Sequence, residues 1–438
     1  MNLAGKHVLV IGAKRSGRAA TELLRKQGAL VRAMDSQPLT ADEQARLGVP
    51  LVEQSEENIA PAEVIVLSPG VPYDLPMLAA ARARGISTIG EVELSSYFLK
   101  GPLIGITGSN GKTTTTALTG HLLKSCGIPC QMGGNIGAAV TSLIDSSNDN
   151  QWNVLELSSF QLESITQFHA SIAACLNVTP DHLDRHHTFE LYADSKGRLF
   201  ETQRPGDLAV LNYDDPTCRA FAKRTPARIS WFSSTEAVPG GIWLDGAALK
   251  FDNAAFMERS EIKLRGLHNV ENVMAAAALA HLAGAPLEAI GQAVASFPGV
   301  EHRIEFVREV HGVEYYNDSK ATNVDATLKA IDAFAGGLWI ILGGKDKGSD
   351  YAPLRAPLRE RAKGVLLIGA AAPLIKDALD GAIGIADCGT LERAVAYARE
   401  HATSGDTVLL APACASFDQF QNYEERGKRF KHLVAELF

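Results

Sequence analysis

Residues 105–116 read GITGSNGKTTTT. The apolar run LIGIT leads into a glycine-rich turn, and the turn leads into the helical pattern TTTALTGHLLKS. Glycines let backbone N–H groups close around a phosphate with no Cβ in the way, and a helix N-terminus adds partial positive charge. Gly108, Asn110 and Gly111 would form the cradle and Thr114 would continue it. Lys112 would reach the outer phosphates of a nucleoside triphosphate, and Thr113 would offer its hydroxyl to Mg²⁺. Gly108 stands only three residues before Gly111, a shorter span than in GxxxxGK[ST], but the strand–loop–helix setting is the right one. The plainer alternative is a glycine-rich turn carrying a surface lysine.

Such a loop works with a metal-binding carboxylate at the end of a neighbouring strand. NVLELSSFQLE supplies Glu156 after an apolar strand start, with Ser158 and Gln161 beside it. An acid facing water at a strand end is the competing reading. Further on, LNVTPDHLDRHHTFELYADSKGRLF crowds Asp181, His182 and Asp184 behind the apolar run IAACLNV. These groups could hold a second cation or belong to a solvated loop, and the residues leave both open. Lys196 lies on the helix that follows, where a lysine ordinarily faces water.

Two further stretches carry chemistry. The N-terminal HVLVIGAKRSGRAATELLRKQG, followed by ALVRAMDS, reads as strand, turn, helix and strand, with Asp35 ending the second strand. The dinucleotide fingerprint GxGxxG would need glycine where Lys14 stands, which weakens a redox-cofactor reading. Lys14 and Arg15 suit a diphosphate approached from the side. In the last third, YYNDSKATNVDAT, ILGGKDKGSD and APACASFDQFQNYEERG each follow an apolar strand. Ligands bind at strand C-termini in open parallel sheets, so three polar loops at one edge suggest a site. Lys345 and Lys347 on a glycine-rich loop suit a small carboxylate. Cys414 reads as a small buried residue, with no base beside it to make it a nucleophile.

The elements that must position these groups are legible as alternation. Short apolar runs (HVLVIG, EVIVLSPG, LIGITG, NVLELSS, IAACLNV, LAVLNYDD, LWIILGG, GVLLIG, TVLLAPA) alternate with amphipathic helical stretches, the pattern of parallel strands covered on both faces. The fold class is α/β. Residues 215–262 are less regular, and FSSTEAVPGGIWLDGAALKFDN within them reads as short antiparallel strands. A chain of 438 residues suggests about three domains. The joints fall near 93 and 298, giving domains 1–93, 94–298 and 299–438.

Composition narrows the partners. Lys and Arg number 42 against 50 Asp and Glu, a net charge of −8, which argues against non-specific nucleic-acid binding. Six scattered cysteines without CxxC spacing read as reduced thiols of a cytoplasmic protein. The N-terminus is not patterned as a signal peptide, and no run approaches the ~20 apolar residues of a membrane span.

Taken together, TGSNGKTTT, LELSSFQLE, NVTPDHLDRH, GLHNVEN, EHRIEF and NDSKATN resemble the motifs of the Mur ligase family, over essentially the whole chain. The resemblance implies a Rossmann-like N-terminal domain for a UDP-sugar, a central P-loop domain for ATP, and a Rossmann-like C-terminal domain for an amino acid. NDSKATN and APACASFDQFQNYEERG point, within that resemblance, to D-glutamate as the amino acid. The DNPR stretch of the diaminopimelate- or lysine-adding branch is absent. The implied reaction is ATP-dependent amide formation on UDP-N-acetylmuramoyl-L-alanine through an acyl phosphate, a step of peptidoglycan precursor synthesis, by a monomer with two Mg²⁺ sites.

The resemblance also implies roles. Lys112 and Thr113 hold ATP phosphates and the first Mg²⁺, Glu156 and Ser158 help ligate metal, and His182 is the second-metal ligand. Lys196 aligns with a lysine that is carbamylated, which turns an ammonium into a carboxylate-like metal ligand. Asn269 and Asn272 read adenine. His302, Arg303, Asp318 and Lys320 are ATP contacts from the third domain. Asn135 and Gln161 contact the acceptor substrate, and Arg15, Ser16, Asp35 and Gly70 contact its UDP side. Thr322, Lys347, Ser416, Phe417 and Tyr423 form the D-glutamate pocket. Two rivals are another ligase of the superfamily and a regulatory NTPase whose ATP hydrolysis ignores amino acids.

Overall fold

The structure, a computed structural model, describes all residues but Ile136, and for Asp184 the backbone alone. The side chain of Asp184, grouped above with His182, lies outside the described residues. Among the described residues three sheets form. The chain divides into two compact units. One is Met1–Ile262 with His268–Phe297, and the other is Lys263–Leu267 with Pro298–Phe438.

The first unit holds two sheets. The smaller runs, in spatial order, Leu51–Val52, Leu30–Met34, His7–Ile11, Val64–Leu67 and Ser87–Gly90, all parallel. Chain order reverses between His7–Ile11 and Val64–Leu67, so a crevice opens beyond their C-terminal ends, where ligands bind in such sheets. Gly17, at the start of the helix Arg15–Lys26, lets that helix approach the turn. A Cβ there would stand 1.7 Å from the Gly12 carbonyl oxygen. Lys14 has φ −75°, a conformation open to any residue, which is why the turn tolerates a lysine where the fingerprint has glycine.

The larger sheet has nine strands, with Leu103–Thr107 between Ile172–Cys175 and Trp152–Glu156. Leu103–Thr107 and Ile172–Cys175 are buried along their whole length, as strands covered on both faces must be. Trp152–Glu156 is flanked on its far side by the edge strand Cys130–Gly134. The opposite edge is antiparallel, Ile242–Asp245, Ala248–Phe251 and Ala254–Glu258, as expected for FSSTEAVPGGIWLDGAALKFDN, whereas Arg228–Ser233, where that stretch begins, pairs parallel with its neighbours. The Ala-rich helix Leu267–Leu282 is buried on nearly all sides.

The second unit has a six-stranded sheet in the order Glu305–Val310, Val313–Asn317, Thr407–Leu410, Leu338–Gly343, Ala362–Ile368, Ile385–Gly389. Its three polar loops follow three neighbouring strands, Val313–Asn317, Thr407–Leu410 and Leu338–Gly343. Among the described residues no helix is long and apolar enough to cross a membrane, and all six cysteines are free thiols.

Candidate active site

The phosphate loop leaves the strand Leu103–Thr107 and enters the helix Lys112–Ser125. Gly111 has φ +82°, and a Cβ on it would meet Asn272 Oδ1 at 2.1 Å. Glycine is therefore required twice over, by backbone and by space. Asn272 in turn accepts from Thr115 Oγ1 at 3.3 Å and donates to Asn269 Oδ1 at 3.0 Å. The two asparagines expected to read adenine thus pack at the start of the phosphate-loop helix.

The loop is pinned by a stretch that sequence reasoning quoted without seeing its role. Asn110 N–H donates to Asn177 Oδ1 at 2.8 Å, and Asn177 Nδ2 returns a bond to the Asn110 carbonyl at 3.2 Å. Ser109 Oγ donates to the Thr179 carbonyl and accepts from Thr179 N, both at 2.9 Å, and lies 2.9 Å from the Tyr192 hydroxyl. Asn177 and Thr179 sit inside NVTPDH, so proximity to a motif was a usable signal; Tyr192 offered none.

Lys112 Nζ donates to the carbonyls of Gly108 and Ser109 at 2.8 and 2.9 Å. Lys196 Nζ donates to the same Gly108 carbonyl at 2.8 Å. The expectation that a helical lysine faces water fails here: Lys196 is 1% exposed and lies 4.5 Å over the Tyr192 ring. Burial, and then the nearby charge of Lys112, push its amine down to about 7. A large share of the molecules therefore carry a neutral, nucleophilic amine at physiological pH.

Glu156 ends Trp152–Glu156 and is 2% exposed. Its Oε1 accepts from Asn135 Nδ2 at 3.0 Å, while Oε2 is buried with no hydrogen-bond partner among the described residues. A buried carboxylate oxygen left unsatisfied is costly, and a cation is the partner that suits it. Glu156 and Thr113 thus fit Mg²⁺, which is commonly held by one or two protein oxygens with water and substrate phosphates completing the shell. Ser158 and Gln161 cap each other: Ser158 N donates to Gln161 Oε1 at 3.0 Å and Gln161 N to Ser158 Oγ at 3.3 Å. His182 has φ +52°, pairs with Asp181 at 3.5 Å and is half-exposed. Among the described residues no three His, Cys, Asp or Glu side chains gather as a metal cluster.

A cavity of about 450 Å³ opens at the crevice of the smaller sheet. Gly12, Arg15, Ser16, Asp35 and Gly70 line it, with Asn135 and Gln161 on the other wall. Lys14 lines it too. Asp35 spends both oxygens on framing: Oδ2 accepts from Ala13 N at 2.7 Å and Oδ1 from Gln37 N at 2.9 Å. The Arg15 guanidinium donates to the Gly137 carbonyl.

In the second unit, strain collects at the expected residues. His302 has φ +65° and Ile304 φ +42°, so Arg303 stands between two residues in left-handed conformations. For a β-branched isoleucine this is a true outlier, of the kind that persists at functional sites. His302 is buried, lies 2.9 Å from Asn317 Nδ2, and its Nε2 has no hydrogen-bond partner among the described residues. Burial holds its imidazole below the usual range, against the opposing pull of Glu301 and Glu305. Asp318 is buried and its carboxyl is raised to about 7 by burial, against Arg303 and Lys320. Lys320 lies 5.6 Å over the Tyr423 ring.

Two of the three loops of this unit, 315–327 and 411–427, are tied by Arg426, another group the sequence did not single out. Its guanidinium is 1% exposed and donates to Ser319 Oγ, to the Ser319 carbonyl and to the Cys414 carbonyl at 3.0, 2.9 and 3.1 Å. Asp346 orders the lysine loop by accepting from Gly348 N and from the Tyr351 hydroxyl at 2.8 and 2.6 Å. Lys347 Nζ reaches the Thr322 carbonyl at 3.5 Å. Ser416 is buried beside Phe417, which is 66% exposed. Cys414 is buried, and burial raises its thiol, as expected for a residue that is not a nucleophile.

Comparison with known proteins bears on the whole chain. Residues 6–90 match "Mur ligase MurD-like, N-terminal domain", 106–280 match "Mur ligase middle domain" and 302–414 match "Mur ligase, glutamate ligase domain". A protein of Solibacter usitatus named UDP-N-acetylmuramoylalanine--D-glutamate ligase is 58% identical over 437 residues, covering 99% of this chain and 98% of its own. One of the same name from Koribacter versatilis is 48% identical over 451 residues, covering 100% and 99%. Among solved structures, MurF ligase from Thermotoga maritima in complex with ADP superposes with a TM-score of 0.64 at 18% identity, over 99% of this chain and 96% of that one. UDP-N-acetylmuramate-alanine ligase MurC from the same organism gives 0.63 at 18% identity, over 98% and 99%. At that identity the two structures speak for the fold alone.

Proposed function

This chain belongs to the Mur ligase family, and on that premise we propose that it joins D-glutamate to UDP-N-acetylmuramoyl-L-alanine at the expense of ATP. A carboxylate is a poor electrophile at neutral pH. Its oxygen attacks the γ-phosphorus of ATP, ADP leaves, and the acyl phosphate now carries a leaving group. The D-glutamate amine then attacks the acyl carbon, and phosphate departs from the tetrahedral intermediate as the amine loses a proton.

One observation carries the reading. Glu156, with an unpartnered buried oxygen, bonds through its other oxygen to Asn135, which lines the cavity. Its strand pairs with the phosphate-loop strand, Glu156 opposite Ile106. An acid suited to a cation thus stands between the triphosphate loop and the acceptor cavity, where a carboxylate and a γ-phosphate must meet. All the reactants are anionic, so the loop N–H groups and Lys112 work by screening charge as much as by binding. Mg²⁺, when bound by Thr113 and Glu156, would neutralise phosphate charge.

The finer assignments are part of the same reading. Lys196, neutral enough near pH 7, would add to CO₂ with its nitrogen bonding carbon and a proton lost, and the carbamate, with His182, would supply ligands for a second cation. Arg15, Ser16, Asp35 and Gly70 hold the UDP, with Asp35 acting through the turn it frames. His302, Arg303, Asp318 and Lys320 serve ATP. Thr322, Lys347, Ser416, Phe417 and Tyr423 take D-glutamate, with Lys347 opposite its side-chain carboxylate. We divide the chain into domains 1–93, 94–298 and 299–438 and assign it to the cytoplasm as a monomer, a compartment its free thiols suit.

Isotope transfer tests the chemistry. With ¹⁸O in the acceptor carboxylate, one labelled oxygen should leave in the released phosphate. Unlabelled phosphate, formed alongside the amide, would rule out the acyl phosphate.

A further inference from the structure

The segment that carries His182 is a single helical turn, Leu183–His186, with a strained residue at each end. His182 has φ +52° and His187 φ +67°. Non-glycine residues stay in such conformations where surrounding contacts over-determine them. Among the described residues of the turn, Arg185 and His186 are well buried, and both meet one carboxylate, Glu163.

Arg185 Nη2 donates to Glu163 Oε2 at 2.7 Å and to the Val71 carbonyl at 2.9 Å. Its guanidinium lies 4.9 Å from the centre of the Phe160 ring. His186 Nδ1 lies 3.3 Å from Glu163 Oε1, and its Nε2 lies 3.0 Å from Ser159 Oγ. The same His186 Nδ1 is 3.4 Å from the hydroxyl of Ser195, the neighbour of Lys196. The side chains of Arg185 and Glu163 are 13% exposed and that of His186 is 3% exposed. Val71 lines the 450 Å³ cavity together with Ser68, Pro69 and Gly70. An unbroken polar path therefore runs from the cavity loop, through the strained turn, to the helix that bears Lys196.

We propose that Arg185, Glu163 and His186 form a positioning brace that holds the cavity loop 68–71 and the His182 turn in one register. The brace serves acceptor binding and cation binding together, an assignment that rests on the ligase reading above. None of the three touches the reacting atoms. Arginine suits the hub because its planar guanidinium holds a carboxylate and a carbonyl while lying over the Phe160 ring, a combination of bonding and stacking that a lysine ammonium does not reproduce.

The test uses Arg185→Lys and Glu163→Gln in the full chain. Calorimetry reads UDP-N-acetylmuramoyl-L-alanine binding without metal. Phosphate release reads the Mg²⁺ concentration for half-maximal turnover, and hydrogen exchange reads the amides of 182–187. Each variant should bind the nucleotide about tenfold more weakly, the effect of losing one hydrogen bond to a charged group. Each should also need several-fold more Mg²⁺ and exchange faster at 182–187, with turnover at saturation little changed. Arg185→Lys keeps a cation in place, so a fold intolerant of Glu163→Gln still leaves the test standing. Variants that melt lower yet keep the parental affinity, Mg²⁺ midpoint and exchange would overturn the brace. A parent chain that binds no UDP-N-acetylmuramoyl-L-alanine would instead sink the ligase reading, and exchange at 182–187 would still decide whether the brace holds the turn.

Discussion

Replacing Lys196 by methionine should remove the activity and stabilise the metal-free protein at neutral pH. The amine has an ordinary value of 10.5 and is held down to about 7 in the fold, by burial first and by Lys112 second. Carrying this group therefore costs the fold about 4 kcal/mol at pH 7. Methionine has a similar length and no charge. It gives up the bond from Lys196 to the Gly108 carbonyl, but that carbonyl keeps its bond from Lys112 at 2.8 Å. The contact over Tyr192 is weakened as well. Those losses come to about 2 kcal/mol, leaving a net gain near 2 kcal/mol. For a unit of this size that raises the melting temperature by about 3 °C.

The pH dependence gives the sign. Between 7 and 10.5 the unfolded chain holds a proton on Lys196 that the folded chain has released. Parental stability therefore climbs as pH rises through that window, while the variant lacks this climb. In CO₂-free buffer without metal, calorimetric melting should show the variant more stable at pH 7 and equal or less stable near pH 10. A variant destabilised by the same amount at both values would refute the reasoning.

Three other perturbations follow from contacts already given. Gly111→Ala puts a Cβ 2.1 Å from Asn272 Oδ1 at φ +82°, and should weaken binding of a non-hydrolysable ATP analogue by about tenfold or more in calorimetry. Asn177→Ala strips the Asn110 backbone of both its bonds to the Asn177 side chain, and should raise the KM for ATP about tenfold while leaving sugar-nucleotide affinity unchanged. Tyr351→Phe removes the hydroxyl that bonds Asp346, and should raise the KM for D-glutamate several-fold with kcat little changed.

How much of this was legible in the sequence depends on the range of the interaction. The phosphate loop and its flanking strand and helix are written in adjacent residues, and so are the long apolar strands. The edge strands Cys130–Gly134 and Ile385–Gly389 escaped notice, because CQMGG and IADCG mix polar residues and glycine and show no apolar run. Asn177 stood in a recognised motif, yet its partner Asn110 lies 67 residues away, and no local pattern announces such a pair. Arg426, paired with Ser319 across 107 residues, and Arg185, paired with Glu163 across 22, read as ordinary charged helix positions until the fold encloses them. Lys196 shows the same limit in reverse. Charge logic puts a helical lysine in water, whereas packing against Tyr192 and the Gly108 carbonyl decides otherwise. Asp35 lines the cavity, and only the fold shows that its two oxygens also accept from Ala13 N and Gln37 N.

The most direct test of the central claim is phosphate release from ATP and Mg²⁺ with UDP-N-acetylmuramoyl-L-alanine, with D-glutamate present or absent. The account predicts sustained release when both substrates are present, and none when L-glutamate or L-alanine replaces D-glutamate. Release at the same rate whatever amino acid is added would contradict it, and would mark the chain as an ATP-hydrolysing switch.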